Sequence, residues 1–330
     1  MEPTIFRSWQ AATAAMIIGV CIFVLAMALQ PFQRRPDDVS HVLLALLRLR
    51  IQRVESRCPN PEISSDTEVP WQIFTFWHDE LLPPIPSIAM RHAQHVLAES
   101  GEEWQLHVLT PATVDTFLPG ARAVMEVLLG AGRSVALFTD WLRLSLLLQY
   151  GGIWLDVTVL LNDASLLLQW RHRVLHEQLE LFAIRNDMHQ LYESWFLLAR
   201  RGSQFIAEWL VEVEKALVIG PDHYCTLADV SFRVRLLLPG HYWAIYYAQE
   251  VVLRDMQRLD ATALARTITS EPGSKYGFSW QTKQGWGSIK SNVKNLLDPA
   301  APAKHGLIKL TNWDRRSLRG HEAEMARVYI

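Results

Sequence analysis

Cysteine is scarce: the 330 residues contain three, at positions 21, 58 and 225. Three thiols cannot build a disulfide framework, and no C-x-x-C pair offers the usual thiolate zinc signature. An excess of one charge is also missing. The 32 basic and 34 acidic residues leave a formal net charge of −2, which excludes a protein that coats duplex nucleic acid through a broad basic surface. No internal repeat is visible, and the 16 Gly and 16 Pro follow no period, which excludes collagen-like and low-complexity classes. No N-x-[ST] sequon occurs. What is present is apolar: half of the residues are hydrophobic and a fifth are charged. That balance supports a large core, in two average domains or one large α/β domain, and excludes wholesale disorder and coiled coil. Thirteen Trp are many. Indole serves where a flat apolar face meets sugar or base, although most Trp are core.

Residues 11–29, AATAAMIIGVCIFVLAMAL, form an uncharged run. As a helix it would span about 28 Å, close to the hydrocarbon thickness of a bilayer. A single transmembrane helix is expected, with Trp9 as an interfacial anchor; a cleavable signal peptide ending near Ala26–Ala28 is the alternative. Arg34, Arg35, Arg48 and Arg50 follow the run and only Arg7 precedes it, which places the main domain in the cytoplasm by the positive-inside rule. A Golgi-type arrangement, with the domain in the lumen, is the competing topology. Residues 38–57 suit a helix capped by Asp37 or Asp38 and loaded with Arg at its end, either a stem packed on the main domain or a basic helix lying on anionic lipid. The Pro- and Ser-rich stretch from Cys58 to Pro70 reads as a linker. The expected organisation is therefore a tail and anchor over 1–33, a stem and linker over 34–69, and a main domain over 70–330.

Beyond Pro70, short apolar strands alternate with helical spacing. Strands are expected at WQIFTFWHDE (71–80), 104–110, 153–161, 179–184 and 194–199. Helices are expected at 87–99, in two pieces around 113–129, at 141–150 and at 204–218. The alternation argues an α/β fold with a mostly parallel sheet. The tail from 270 onward shows no clear periodicity and reads as loops folded back over a site. His92 and His95, three apart, fall on the polar side of a surface helix and read as surface residues. His78 reads as a loop residue with a local hydrogen bond.

The chemistry concentrates in residues 139–161, TDWLRLSLLLQYGGIWLDVTVLL. In a strand, Ile153, Leu155, Val157 and Val159 share one face, and Trp154, Asp156 and Thr158 the other. A carboxylate and a hydroxyl would then project about 7 Å apart at the backbone. They suit two oxygen ligands around a hard cation, or one metal contact and one hydrogen bond to a sugar or phosphate. Asp140 stands where an N-cap belongs and Gly151 where a helix-ending glycine belongs. Asp140 and Arg143, three apart, lie on one helix face. They read either as a cap with a surface ion pair, or as a carboxylate and a guanidinium aimed at a sugar diphosphate. The Gly151–Gly152 pair lets the chain turn sharply into the strand that carries Asp156.

This segment resembles the S-D-x-x-R…Y-G-G-[IV]-[WY]-x-D-x-[DT] signature of the glycosyltransferases whose sugar-binding region contains a D-x-D motif. It is most similar to the capsular polysaccharide synthesis protein family. IFTFWHDELLPP at 73–84, ESWFLLA at 193–199 and KHGLIKLTNW at 304–313 resemble further elements of that family, in the same order. The resemblance implies a GT-A-like nucleotide-sugar-binding domain, and transfer of a sugar from a nucleotide-sugar donor to a glycan or lipid-linked acceptor with retention of configuration. It implies catalytic roles for Asp156, Asp140 and Arg143. Donor contacts would come from Trp77, Asp140, Arg143, Gly151, Gly152, Thr158 and Lys309, with Trp77 stacking on the base and Lys309 neutralising the leaving diphosphate. A divalent cation, Mn²⁺ or Mg²⁺, would sit at Asp156 and Thr158. One departure stands out: Thr158 replaces the second Asp of the motif, and a neutral hydroxyl is a weaker ligand than a carboxylate. Asp163, on the following loop, is a possible substitute. Two other classes stay open: a non-catalytic scaffold or sugar-binding member of the same fold, and a metal-dependent phosphohydrolase acting through Asp156.

Overall fold

A computed structural model describes residues 69–260, 262–273, 289–300 and 305–330. The 11–29 run, the stem, the linker, Cys21 and Cys58 lie outside the described residues. Among the described residues, no helix is long and apolar enough to cross a membrane.

Eight strands are described: β1 (Gln72–Phe76), β2 (Gln105–Leu109), β3 (Gly152–Leu155), β4 (Val159–Leu161), β5 (Leu181–Arg185), β6 (Tyr192–Ala199), β7 (Ile268–Pro272) and β8 (Leu307–Lys309). The first half contributes helices α1 (Pro84–Glu99), α2 (Val114–Phe117), α3 (Ala121–Gly130), α4 (Val135–Tyr150) and α5 (Ser165–His176). The second half adds α6 (Gln204–Ile219), α7 (Pro221–Leu227), α8 (Phe232–Leu237), α9 (Ala244–Leu259), α10 (Ala263–Thr267), α11 (Ile289–Leu296), α12 (Asn312–Ser317) and α13 (Glu322–Tyr329).

Six strands form the central sheet in the order β2-β1-β3-β6-β5-β7, and β4 and β8 pair antiparallel in a small second sheet. β1 runs parallel to β2 and β3, and β5 parallel to β7. β6 alone is reversed, antiparallel to both of its neighbours. The mixed α/β fold with a mostly parallel sheet is therefore as the alternation of apolar runs indicated.

The pleat divides the core. Phe74, Trp154, Leu197 and Ala183 pack on one face with α4, α6 and α9. Ile73, Ile153, Leu155, Phe196 and Leu198 pack on the other with α5 and the end of α1. Helices on both faces explain why β3 and β6 are buried along their whole length. Trp141, Trp154 and Trp209 are fully buried, so much of the Trp content is core. Truncating one such ring to Ala costs about 3–5 kcal/mol.

Several local expectations changed. Helix α4 begins at Ser134, whose side chain accepts the Leu137 N–H, and not at Asp140. The run VALF has no helix breaker, so with a serine cap available it extends the helix by a turn and a half. Asp140 thus lies inside the helix and does not cap it. Gly151 ends the helix as expected: its N–H returns to Leu147 O at 2.8 Å. The expected strand over 153–161 is broken. β3 stops at Leu155, Val157 and Thr158 form a turn in which Val159 N–H bonds Asp156 O at 2.9 Å, and β4 leaves for the second sheet. His92 is buried, with Nε2 2.8 Å from Asn162 Oδ1, while His95 stays on the surface beside Glu99. The tail is not only loops: it contributes β7, β8, α11, α12 and α13.

Candidate functional site

Three chain segments meet where β3 ends. Asp156 follows the last residue of β3, Arg143 and Asp140 come from α4, and Lys309 ends β8. In an open, mostly parallel sheet the C-terminal ends of the strands are where the helix layers part and a ligand can enter.

Asp156 is the hub. Its Oδ1 accepts from Trp154 Nε1 at 2.8 Å and lies 3.4 Å from Arg143 Nη2. Its Oδ2 accepts from Lys309 Nζ, and the same ammonium donates to Thr158 Oγ1 at 2.9 Å. Burial alone would raise the Asp156 carboxyl, but Lys309 and Arg143 more than offset that and hold it below the ordinary value. Lys309 is lowered by its own burial, with Asp156 opposing. The turn after β3, and not strand alternation, brings Asp156 and Thr158 to one cation.

Arg143 is fixed from three sides. Nη1 donates to Ser194 O on β6 at 2.7 Å, and Nη2 lies 3.3 Å from Asp140 Oδ1 as well as near Asp156. The guanidinium also sits 5.2 Å from the Trp154 ring centre. With both terminal nitrogens engaged by protein acceptors, Arg143 holds Asp140 and Asp156 in register more than it offers a free fork. Asp140 is buried, its carboxyl pushed up to about 7 by burial, with Arg143 opposing and Asp156 adding to the rise.

Trp77 follows β1, the parallel neighbour of β3. The Trp77 ring packs against the apolar cluster that includes Val157 and Ile308. Arg315 of α12 lies 6.0 Å from the Trp77 ring centre, and its charge interacts with Asp156 and Tyr242. Thr311 and Asp314 form a capping box that orients this helix. The Tyr242 phenol is raised by burial and by the charges of Asp140 and Asp156. Behind the site, Glu193 is buried. Its carboxylate accepts from Asn186 Nδ2 at 2.5 Å and Tyr246 OH at 2.9 Å, and burial raises its pKa.

Asp140, Arg143, Asp156, Thr158 and Lys309 are thus brought together, with Trp77 alongside. Gly151 and Gly152 are not. They stand at the opposite end of β3, about 13 Å away by strand rise. Gly152, at φ +88°, lies so close to β1 that a Cβ would come within 2.4 Å of Gln72 O. These glycines let strands approach, and a donor contact from them has no support in this geometry. Asp163 does not compensate for Thr158: its Oδ1 accepts the Ser165 N–H at 2.9 Å, at the start of α5. His78 makes a local contact with Asp79 at 3.3 Å. Cys225 is buried and free. Arg315, Tyr242, Glu193 and the Ser194 carbonyl escaped the sequence reading, which put Trp154 on the face of Asp156 without giving it a role. The two arginines after the K-L-T-N-W element were a signal for the first of these.

The residues present do not fit a divalent cation well. Mg²⁺ or Mn²⁺ asks for about six oxygens, supplied by one or two carboxylates together with waters and substrate phosphates. Here one carboxylate and one hydroxyl converge, and the Lys309 ammonium already bonds both. Among the described residues, no group of three His, Cys, Asp or Glu side chains could hold a metal ion.

A mostly parallel α/β sheet thus carries a cluster of cations beyond its strand ends. The chain belongs to the capsular polysaccharide synthesis protein family, whose profile matches residues 30–211, more than half of its length. Membership supports a glycosyltransferase-like role. The chain is also similar to the solved PaToxG glycosyltransferase over 89% of its own length and 98% of that chain, at 9% identity and a TM-score of 0.38. That likeness is too distant to bear on chemistry. No curated protein matches the chain.

Proposed function

We propose that the protein is a membrane-anchored glycosyltransferase that moves a sugar from a nucleotide-sugar donor to a glycan or lipid-linked acceptor. One observation carries the reading. Among the described residues, Trp77 Nε1, Arg143 Nε and Arg315 Nε are buried N–H groups without a hydrogen-bond partner near Asp156, and other such atoms, Trp104 Nε1 and Arg200 Nε among them, lie elsewhere in the fold. Buried donors are rarely left unpaired, and orphan donors of this kind call for a ligand rich in acceptors. Three cations, Arg143, Lys309 and Arg315, lie close to two carboxylates, Asp140 and Asp156, so the cluster is net positive. A diphosphate meets both needs.

In the reaction, the bond between the anomeric carbon and the β-phosphate oxygen breaks, and a bond to an acceptor hydroxyl oxygen forms. The acceptor proton passes to the departing phosphate oxygen, which matches retention of configuration. Lys309 and Arg315 offset the charge that grows on the leaving diphosphate. Asp156 and Thr158 hold the Lys309 ammonium, Arg143 holds Asp156, and the Trp77 indole offers a flat face for the base. Isothermal titration of the purified protein with UDP and GDP, followed by a nucleotide-sugar hydrolysis screen, tests the reading. Failure to bind any nucleoside diphosphate rejects it in favour of a sugar-binding scaffold.

The anchor is the 11–29 run, and the domain over 70–330 faces the cytoplasm, where nucleotide sugars are made. The Arg34–Arg35 pair supports that orientation. Protease added to the cytoplasmic face of sealed, oriented vesicles should digest the domain. Resistance until the membrane is breached would establish the lumenal topology instead.

A further inference from the structure

We propose that the Lys309 ammonium takes the place of a divalent cation in this site, so that the donor diphosphate is bound by protein cations alone. The inference rests on the donor reading above and concerns how that same site handles charge.

The geometry behind it is the pairing at the end of β3. The two side chains of the D-x-[DT] motif, Asp156 and Thr158, both bond one Lys309 nitrogen. That nitrogen fills the space between the two motif oxygens. A second positive centre bound to the same two oxygens would lie within a few Å of the ammonium, where like charges in a poorly solvated site repel strongly. The remaining Asp156 oxygen is already bonded by Trp154 Nε1 and faces Arg143. Among the described residues, the neighbouring carboxylates are already engaged: Asp140 faces Arg143, and Asp163 Oδ1 accepts the Ser165 N–H at the start of α5.

Lys309 is also built in rigidly. It ends β8, which pairs with β4 through Val159–Lys309, Leu160–Ile308 and Leu161–Leu307. The Leu310 N–H bonds Thr158 O at 2.9 Å, which ties the lysine's own strand to the turn that carries the motif. The second sheet thus acts as a clamp that delivers one ammonium to the motif, and Arg315 follows six residues later on α12. A threonine at the second motif position is then an adaptation to its partner: a neutral hydroxyl accepts from an ammonium while one carboxylate balances it. Lys309 would be a catalytic residue, touching the diphosphate, and Asp156 and Thr158 its positioning residues.

The test uses the purified full-length chain, with titration of UDP and GDP in EDTA and again with Mn²⁺, and Mn²⁺ binding by electron paramagnetic resonance without nucleotide. Wild type should bind nucleoside diphosphate equally, within about twofold, in the two conditions, and should leave free Mn²⁺ unperturbed. Lys309→Met should weaken binding in EDTA by about tenfold or more, the scale of one lost charged hydrogen bond. It should also gain a response to Mn²⁺, because the Asp156 and Thr158 oxygens are released. Lys309→Arg keeps a cation there and should weaken metal-free binding less than Lys309→Met, without a gained response to Mn²⁺, which covers the case of a Lys309→Met protein that does not fold. Wild-type binding that needs Mn²⁺, or a tight Mn²⁺ site without nucleotide, overturns the inference and leaves the donor reading standing. Absence of nucleotide binding in both conditions removes the donor reading, and this inference with it.

Discussion

Lys309 donates a hydrogen bond to Asp156 across 153 positions of sequence. The pair joins the end of the central sheet to the small second sheet, and the charge arrangement of the site is organised around it.

Asp156→Asn should reduce transfer about a hundredfold or more, the scale seen when one electrostatic group of a preorganised site is removed. The amide keeps the shape but leaves Lys309 and Arg143 without their shared counter-charge. The side chain is 22% exposed, and β3 packs through Ile153, Trp154 and Leu155, so the fold should persist. Circular dichroism together with hydrolysis of the donor checks both halves. A folded variant with wild-type turnover would reject the assignment of Asp156.

Arg143→Lys should behave as a non-conservative change. One ammonium cannot serve Ser194 O, Asp140 and Asp156 together, because the planar fork that spans them is gone. A fall in kcat of about tenfold or more, with a smaller change in donor KM, is expected from a misplaced Asp156. Unchanged kcat and KM would mean that the carboxylates are held without the fork.

Gly152→Ala should destabilise the domain by about 3 kcal/mol or more, from strain at positive φ together with a backbone clash against β1. Chemical denaturation of a soluble domain preparation measures it. A loss of donor affinity without a loss of stability would restore these glycines to the binding site.

His189 supplies a pH signature away from the site. It is buried, its Nδ1 accepts the Leu191 N–H at 3.2 Å, and burial, with Arg233 nearby, lowers its pKa to about 4. The folded form resists protonation while the unfolded form titrates near 6.5. Its contribution is therefore present above pH 6.5 and is lost as pH falls through the window from 6.5 to 4. The loss amounts to about 3 kcal/mol by linkage. Thermal melts of wild type and His189→Gln across pH 4–8 should converge in the acid range. A constant gap between them would place the acid sensitivity elsewhere.

Much of the fold was legible because its signals are local. Short apolar runs at IFTF and GIWL and Gly151 at the end of α4 each act within a few residues, and the corresponding elements formed. The errors fell where local signals compete. Asp140 and Ser134 are both good caps. The helix began at Ser134 because nothing between the two positions interrupts it, and Asp140 was left free to face the site. The apolar run 153–161 reads as one strand, yet it turns at Thr158 because β4 finds its partner in β8, near the far end of the chain.

By itself the sequence determined the residue types: a carboxylate and a hydroxyl two positions apart, an Asp–Arg pair on one helix face, a Trp after the first strand, and a Lys in a resembling element near the C-terminus. Tertiary structure decided their relations. Whether Asp156 and Thr158 face a metal or an ammonium depends on the packing of β8 against β4, a contact between segments about 150 residues apart. Pairing at that range is set by which surfaces the folded core leaves to meet, and no window of sequence contains both partners.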